Sequence, residues 1–291
     1  MTSTPGPTAG KGWYFEDFRV GQTFQSPVHT VTEEALLQFA ELSGDKGRMH
    51  VDEEFAAGTQ FGRRVVHGPY GVARFFGALY DLQLADESVI GLLDTNWRYL
   101  QPVFVGDSLR FDITVTRCRR TSAGDRGVVN RHVRLHREDG ALLQEGTTAF
   151  LVAAREPGKA GGEVPALDFC GPQWTRELAT RLGADAEFEA STRSFDGTIG
   201  LQAGDVATSL RIYKGTIIEA SRKSLLGSTF TVQASELVWT QLMTGPRNDF
   251  IPRTVRNEFS VAGSGYDYLR LTKPLMRIWE CGREMAGEVR D

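Results

Sequence analysis

Asp45 and His50 lie in the run Gly44-Asp45-Lys-Gly-Arg-Met-His50-Val-Asp52, close enough in sequence to hold one water between a carboxylate and an imidazole. A second run, Val65-Val-His67-Gly68, opens an apolar helical pattern. A glycine turn feeding a helix can aim a free backbone N–H at a developing oxyanion. A general base, a general acid and an oxyanion donor are the minimum set for adding water across, or removing it from, a carbon–carbon double bond next to a thioester carbonyl.

Those residues need elements to position them. Gln22 to Val31 reads as a short strand. Thr32 suits an N-cap, Glu33 and Glu34 follow in the first turn, and Leu36, Leu37, Phe39, Ala40 and Leu42 supply an apolar face. Ser43-Gly44 ends that helix and releases the Asp45–His50 loop, with a short helical stretch expected over Val51 to Ala57. Asp52 is expected to cap it. Beyond Gly68, Pro69 suits a first helical position, and Val72, Phe75, Phe76 and Leu79 recur at the spacing of a buried helix stripe. Strands follow over Val89 to Tyr99, Ser108 to Arg117, Val128 to Arg137 and Leu142 to Ala153, separated by Gly-Asp, Ala-Gly-Asp and Asp-Gly turns. One long helix beside a long antiparallel sheet is an α+β layout.

The bulk numbers set limits. The chain has 291 residues and a net charge of −4, so it carries no basic footprint for nucleic acid. Cys118, Cys170 and Cys281 are too widely spaced for a metal or disulfide pattern, which reads as a reducing cytoplasm. Residues 1–12 are rich in Ser, Thr, Pro and Gly and read as a flexible lead-in rather than a signal peptide. Residues 13–155 read as one domain, 156–166 as a Pro- and Gly-rich linker, and 167–291 as a second domain. All five histidines precede the linker, so imidazole chemistry belongs to the first domain.

Asp45-Lys-Gly-Arg-Met-His50, Asp52, Phe61-Gly62, His67-Gly68 and Pro102-Val-Phe-Val-Gly-Asp107, in this order, resemble the MaoC-like family of (R)-specific enoyl-thioester hydratases and dehydratases. The resemblance covers roughly residues 15–154. It implies a hot-dog fold, in which an antiparallel sheet wraps a central helix. It also implies a lyase: Asp45 and His50 activate the water and the Gly68 amide holds the thioester enolate. Arg48, His67, Phe75 and Phe76 are the candidate substrate contacts. The implied partners are an acyl-CoA or acyl-carrier-protein thioester and a second copy of the chain, with no metal or redox cofactor. Three positions depart from the family pattern: Gly47-Arg48 replaces its Asn-Pro, Pro69 follows Gly68 where a Met is common, and Phe75-Phe76 stands where a polar residue is often found.

In the second half, Leu167 to Gly183 and Glu236 to Met243 read as helices, and Tyr268 to Trp279 as a last amphipathic one. Strands are expected over Thr198 to Leu201, Ala207 to Ile212, Thr216 to Ala220, Thr229 to Ala234 and Asn257 to Gly263. Leu210-Arg-Ile-Tyr-Lys-Gly215, Phe230-Thr-Val-Gln-Ala-Ser235 and Phe259-Ser-Val-Ala-Gly-Ser264 resemble the sterol-carrier-protein-2-like α/β fold. That resemblance implies an apolar tunnel for lipid or acyl chains lined by Trp, Phe, Leu and Met; an ordinary packed core is the alternative. Two other readings stay open for the whole chain. One is a pathway-specific polyketide dehydratase or cyclase, and the other a non-catalytic acyl or lipid carrier.

Overall fold

The computed structural model describes residues 12–84, 86–157, 164–225 and 227–289. Most of the expected lead-in and residues 158–163 of the expected linker lie outside the described residues. The chain divides into two compact units, residues 1–160 and 161–291.

In the first unit the order is β1 (Thr23–Gln25), β2 (His29–Thr30), α1 (Glu33–Ser43), α2 (Arg48–Val51), α3 (Glu53–Ala57), α4 (Gly68–Asp81), then β3 (Val89–Tyr99), β4 (Ser108–Arg120), β5 (Arg126–Arg137) and β6 (Leu142–Ala153). The Thr32 side chain accepts from the Ala35 N–H and starts α1, and Gly44 at φ +75° ends it. The strand expected over Gln22 to Val31 is split in two. Ser26 bonds Phe111 of β4 through both its N–H and its hydroxyl, and Pro27 has no N–H to continue a ladder.

All strand pairings in this unit are antiparallel, in the order β1-β4-β5-β6-β3, with β2 also on β4. Alternate residues of β4, β5 and β6 face inward. Phe111, Ile113, Val133, Leu135 and Phe150 form one core with Phe75 and Leu79 of α4. Both of those α4 side chains are fully buried, and each such burial stabilises by about 1.5–3 kcal/mol. A helix held against an antiparallel sheet is the hot-dog arrangement expected from the sequence.

Two features of the sheet are unusual. Strand β3 is an edge, and Ile90, Leu92, Leu93 and Tyr99 on it are half exposed. Arg131 of β5 is wholly buried between the rings of Phe18 and Phe150, at 4.8 and 5.0 Å, and none of its three nitrogens has a hydrogen-bond partner among the described residues. Burial pushes the guanidinium down to about 10 and the nearby Cys118 thiol up to about 12.

The second unit contains α5 (Pro172–Gly183), α6 (Ala186–Thr192), β7 (Asp196–Ala203), β8 (Val206–Tyr213), β9 (Thr216–Ser221), β10 (Phe230–Ala234), α7 (Glu236–Thr244), α8 (Phe250–Val255), β11 (Ser260–Gly263), α9 (Gly265–Arg270) and α10 (Thr272–Gly287). Its sheet runs β11-β10-β7-β8-β9, with β10 parallel to β7 and the other pairs antiparallel. The short helices α6 and α8 were not expected. The final helix is two, broken at Leu271.

Trp174, Trp239, Trp279 and Phe250 are fully buried and interlock, with ring centroids 6.1 Å apart for Trp174–Trp239, 5.1 Å for Trp239–Trp279 and 4.9 Å for Phe250–Trp279. These aromatics fill a core rather than line a tunnel. A groove of about 330 Å³ lies instead beside β9, lined by Thr180, Gly183, Glu189 and residues 215–220. No helix among the described residues is long and apolar enough to cross a membrane.

Candidate active site

The loop between α1 and α2 carries Asp45. Its Oδ1 accepts the Gly47 N–H at 3.1 Å, closing a local turn that directs Oδ2 elsewhere. Gly47 accommodates this closely: a Cβ there would stand 3.2 Å from Oδ1 and 3.4 Å from the His50 ring. The glycine that replaces the family's Asn thus sits inside a tight turn.

His50 lies on α2. Its Nδ1 is 2.6 Å from the Val65 carbonyl oxygen. A carbonyl only accepts, so Nδ1 carries a hydrogen, and in the neutral ring Nε2 is the bare nitrogen. That Nε2 lies 3.9 Å from Asp45 Oδ2. The gap is too wide for a good direct bond and suits a shared water. The His50 side chain is 15% exposed and that of Asp45 58%, so solvent and substrate reach the pair from the Asp45 side.

His67 is the N-cap of α4 and is buried. Its ring stacks on His50 with centroids 3.9 Å apart, and its Nε2 donates to the Asp45 backbone carbonyl at 2.8 Å. One side chain therefore holds both members of the pair and brings the helix start beside them. Gly68 follows. Its N–H has no intrahelical acceptor, and no hydrogen bond from it is found among the described residues. Pro69 donates nothing, so the first turn offers Gly68 as its donor, backed by the helix dipole.

The structure brings Asp45, His50, His67 and Gly68 together and sends the other candidates elsewhere. Both Arg48 Nε and a terminal nitrogen bond Asp52 Oδ2, at 3.0 and 2.9 Å, and the guanidinium lies 4.4 Å from the centre of the Phe55 ring. It is an arginine paired at the start of α2. Asp52 also caps α3 by accepting the Phe55 N–H, and this bond together with the Arg48 guanidinium holds its carboxyl below the usual range. Phe75 is wholly inside the core against Trp97 and Phe111, so it supports the site from behind. Phe76 is partly buried beside Phe150. His67 has no open face for substrate.

Sequence reasoning missed three residues around the first turn of α4. Tyr99, half exposed at the end of β3, lies over Gly68, and a Cβ there would stand 3.0 Å from its ring. Trp97 and the buried Gln144 lie beside it. Gln144 carried a usable signal, being a large polar side chain at an inward position of the strand, where only Thr148 is also polar.

Asp45, His50 and His67 also bring one carboxylate oxygen and two ring nitrogens within 4.8 Å of one another. Ring lone pairs lie in the ring plane, and two stacked rings project them side by side rather than toward one ion about 2 Å from each. His67 Nε2 is already donating. The set suits a bound water better than a metal. Around the groove beside β9, the lining residues include Glu189 and Glu219 but no nucleophile–base pair.

Comparison with known proteins shows what the first unit is similar to. The pattern of the MaoC like domain family matches residues 17–135. The chain is 35% identical to an (R)-specific enoyl-CoA hydratase of Aeromonas caviae over 108 residues, which cover 37% of this chain and 76% of that protein. It is 34% identical over 107 residues to Protein MaoC of Klebsiella aerogenes, spanning only 31% of that longer protein. A MaoC domain protein dehydratase from Chloroflexus aurantiacus J-10-fl shares the fold, with a TM-score of 0.50 and 24% identity over 54% of this chain and 45% of that one. Through its first unit, the chain belongs to the MaoC-like domain family, and its relatives there include proteins named (R)-specific enoyl-CoA hydratase and 3-hydroxybutyryl-CoA dehydratase.

Proposed function

We propose that this protein catalyses the reversible hydration of a 2-enoyl thioester to an (R)-3-hydroxyacyl thioester carried on CoA or acyl carrier protein. The observation that carries the proposal is the bare His50 Nε2, 3.9 Å from Asp45 Oδ2, beside a helix start whose Gly68 N–H is free. The thioester carbonyl takes the Gly68 N–H, which makes C3 electrophilic. A water held between Asp45 and His50 gives up a proton to the pair as its oxygen bonds C3. The resulting enolate is stabilised at Gly68 until the pair returns a proton to C2. Dehydration runs the same steps in reverse. Acid–base catalysis of this kind contributes about 10²–10⁴-fold and one oxyanion donor about 10²–10³-fold.

The half-exposed apolar side chains of the β3 edge support a homodimer in which two such edges meet. For the second unit we keep the sterol-carrier-protein-2-like reading; its mixed five-stranded sheet packed with helices supports an α/β fold of that kind. Its interlocked aromatics favour a packed module over a lipid tunnel.

Purified full-length protein should be given a chain-length series of 2-enoyl-CoA and enoyl-pantetheine thioesters, with the product's configuration determined. (R)-3-hydroxyacyl product is the expected result. Failure on every simple thioester, with turnover of a tethered hydroxy-enoyl substrate, would replace this reading with the cyclase one.

A further inference from the structure

Gln144 lies on the inward face of β6 and is almost wholly buried. Polar side chains are costly there unless satisfied, and an apolar residue would fill the space at lower cost. Both ends of the carboxamide have partners. Trp97 Nε1 donates to Gln144 Oε1 at 2.9 Å, and Gln144 Nε2 donates to the Gly68 carbonyl at 3.4 Å. The indole is a donor only, so it fixes which end of the amide is oxygen and leaves Nε2 facing the helix. Gly71, one turn along α4, leaves the space for this group: a Cβ there would stand 2.1 Å from Oε1.

The start of α4 needs such a support. Its N-cap, His67, makes no side-chain cap bond, and Pro69 has no N–H. The first turn is instead tied by buried side chains on two sides: His67 to the Asp45 carbonyl and Gln144 to the Gly68 carbonyl.

We propose that Gln144, oriented by Trp97, is a positioning residue that fixes the first turn of α4 and so aims the Gly68 N–H at the substrate carbonyl oxygen. This rests on the hydratase reading for its catalytic consequence, but the positioning itself is measurable without turnover. Misplacing a donor by about 1 Å can cost on the order of 100-fold in rate.

The test uses Gln144→Met, which keeps volume and removes both bonds, and Trp97→Phe, which keeps a ring and frees the amide. Three quantities are read in the full-length protein. They are kcat and KM for 2-enoyl-CoA hydration, the enolate absorbance of bound 3-ketoacyl-CoA, and hydrogen exchange of the Tyr70 amide, which donates to the His67 carbonyl at 3.0 Å. Both variants should lose kcat by about ten- to hundredfold with KM changed less than threefold. Both should hold less of the enolate, and Tyr70 should exchange faster while the later turns of α4 stay protected. Wild-type kcat and Tyr70 exchange in both variants would overturn the proposal. So would a kcat loss matched by uniform loss of protection along α4 with the enolate signal intact, since Gln144 would then be general packing. If the wild-type protein hydrates nothing, the hydratase reading fails, and unchanged Tyr70 exchange in both variants would separately refute the positioning.

Discussion

Replacing His67 with Phe separates positioning from substrate contact. A Phe ring can keep the 3.9 Å stack on His50 and the packing on Phe39, whose ring centroid lies 5.3 Å from that of His67. It loses the 2.8 Å bond to the Asp45 carbonyl. A neutral hydrogen bond contributes about 1 kcal/mol net. The loss is softened on both sides. Asp45 is exposed, so its carbonyl can turn to water, and the substitution also removes His67 Nδ1, a buried nitrogen with no partner among the described residues. Net destabilisation should be about 1 kcal/mol or less, a fall of about 2–4 °C in Tm. The effect on rate should be far larger, because that bond ties Asp45 to the helix that presents Gly68. A loop displacement near 1 Å costs on the order of 100-fold. Thermal melting together with kcat and KM for hydration of a short 2-enoyl-CoA would show a kcat loss of about 10- to 100-fold with KM nearly constant. An unchanged kcat would refute the positioning role, and a rise in KM alone would make His67 a substrate contact after all.

His132 gives a pH test. Its side chain is largely buried, and desolvation, with Arg134 nearby, lowers it from 6.5 to about 4 in the fold even though Glu145 lies 3.8 Å away. The unfolded chain therefore binds the extra proton between those values, and stability falls as pH drops from about 6.5 to 4, by about 3 kcal/mol in all from this group. Urea unfolding at pH 7.5 and 5 should show the loss, and His132→Gln should reduce it; an equal slope in the variant would contradict the assignment. Arg131→Met removes a buried cation whose nitrogens have no hydrogen-bond partner among the described residues, so stability should hold or rise in denaturant melts, whereas a loss of more than about 2 kcal/mol would show that the two-ring sandwich outweighs its desolvation. Gly127→Ala would place a Cβ 2.2 Å from the buried Phe15 ring and should cost about 1–3 kcal/mol in denaturant melts; a neutral result would mean that the segment around Phe15 yields.

Much of this site was legible before the structure because its parts are local. Thr32 and Asp52 set helix starts with their own side chains, Gly44 and Pro69 set helix ends through their backbones, and the Asp45–His50 and His67-Gly68 spacings are short. What sequence did not show is what long-range packing decides. Nothing in the run Val-Val-His67-Gly68 reveals that His67 faces inward onto His50. Gln144, Trp97 and Tyr99 lie far along the chain from Gly68 and meet it through the pairing of β3 with β6, in which Tyr99 faces Gln144. The same holds in the second unit. Its tryptophan spacing fits a tunnel wall or a core equally well, and only the ring contacts distinguish them.

The most direct test of the central claim is the hydration rate of a short 2-enoyl-CoA by wild-type protein and by His50→Ala, with folding of both checked by circular dichroism. The account requires measurable hydration by the wild type and a loss of about 10²–10⁴-fold in a folded variant. A folded His50→Ala protein that hydrates within a few-fold of wild type would contradict it.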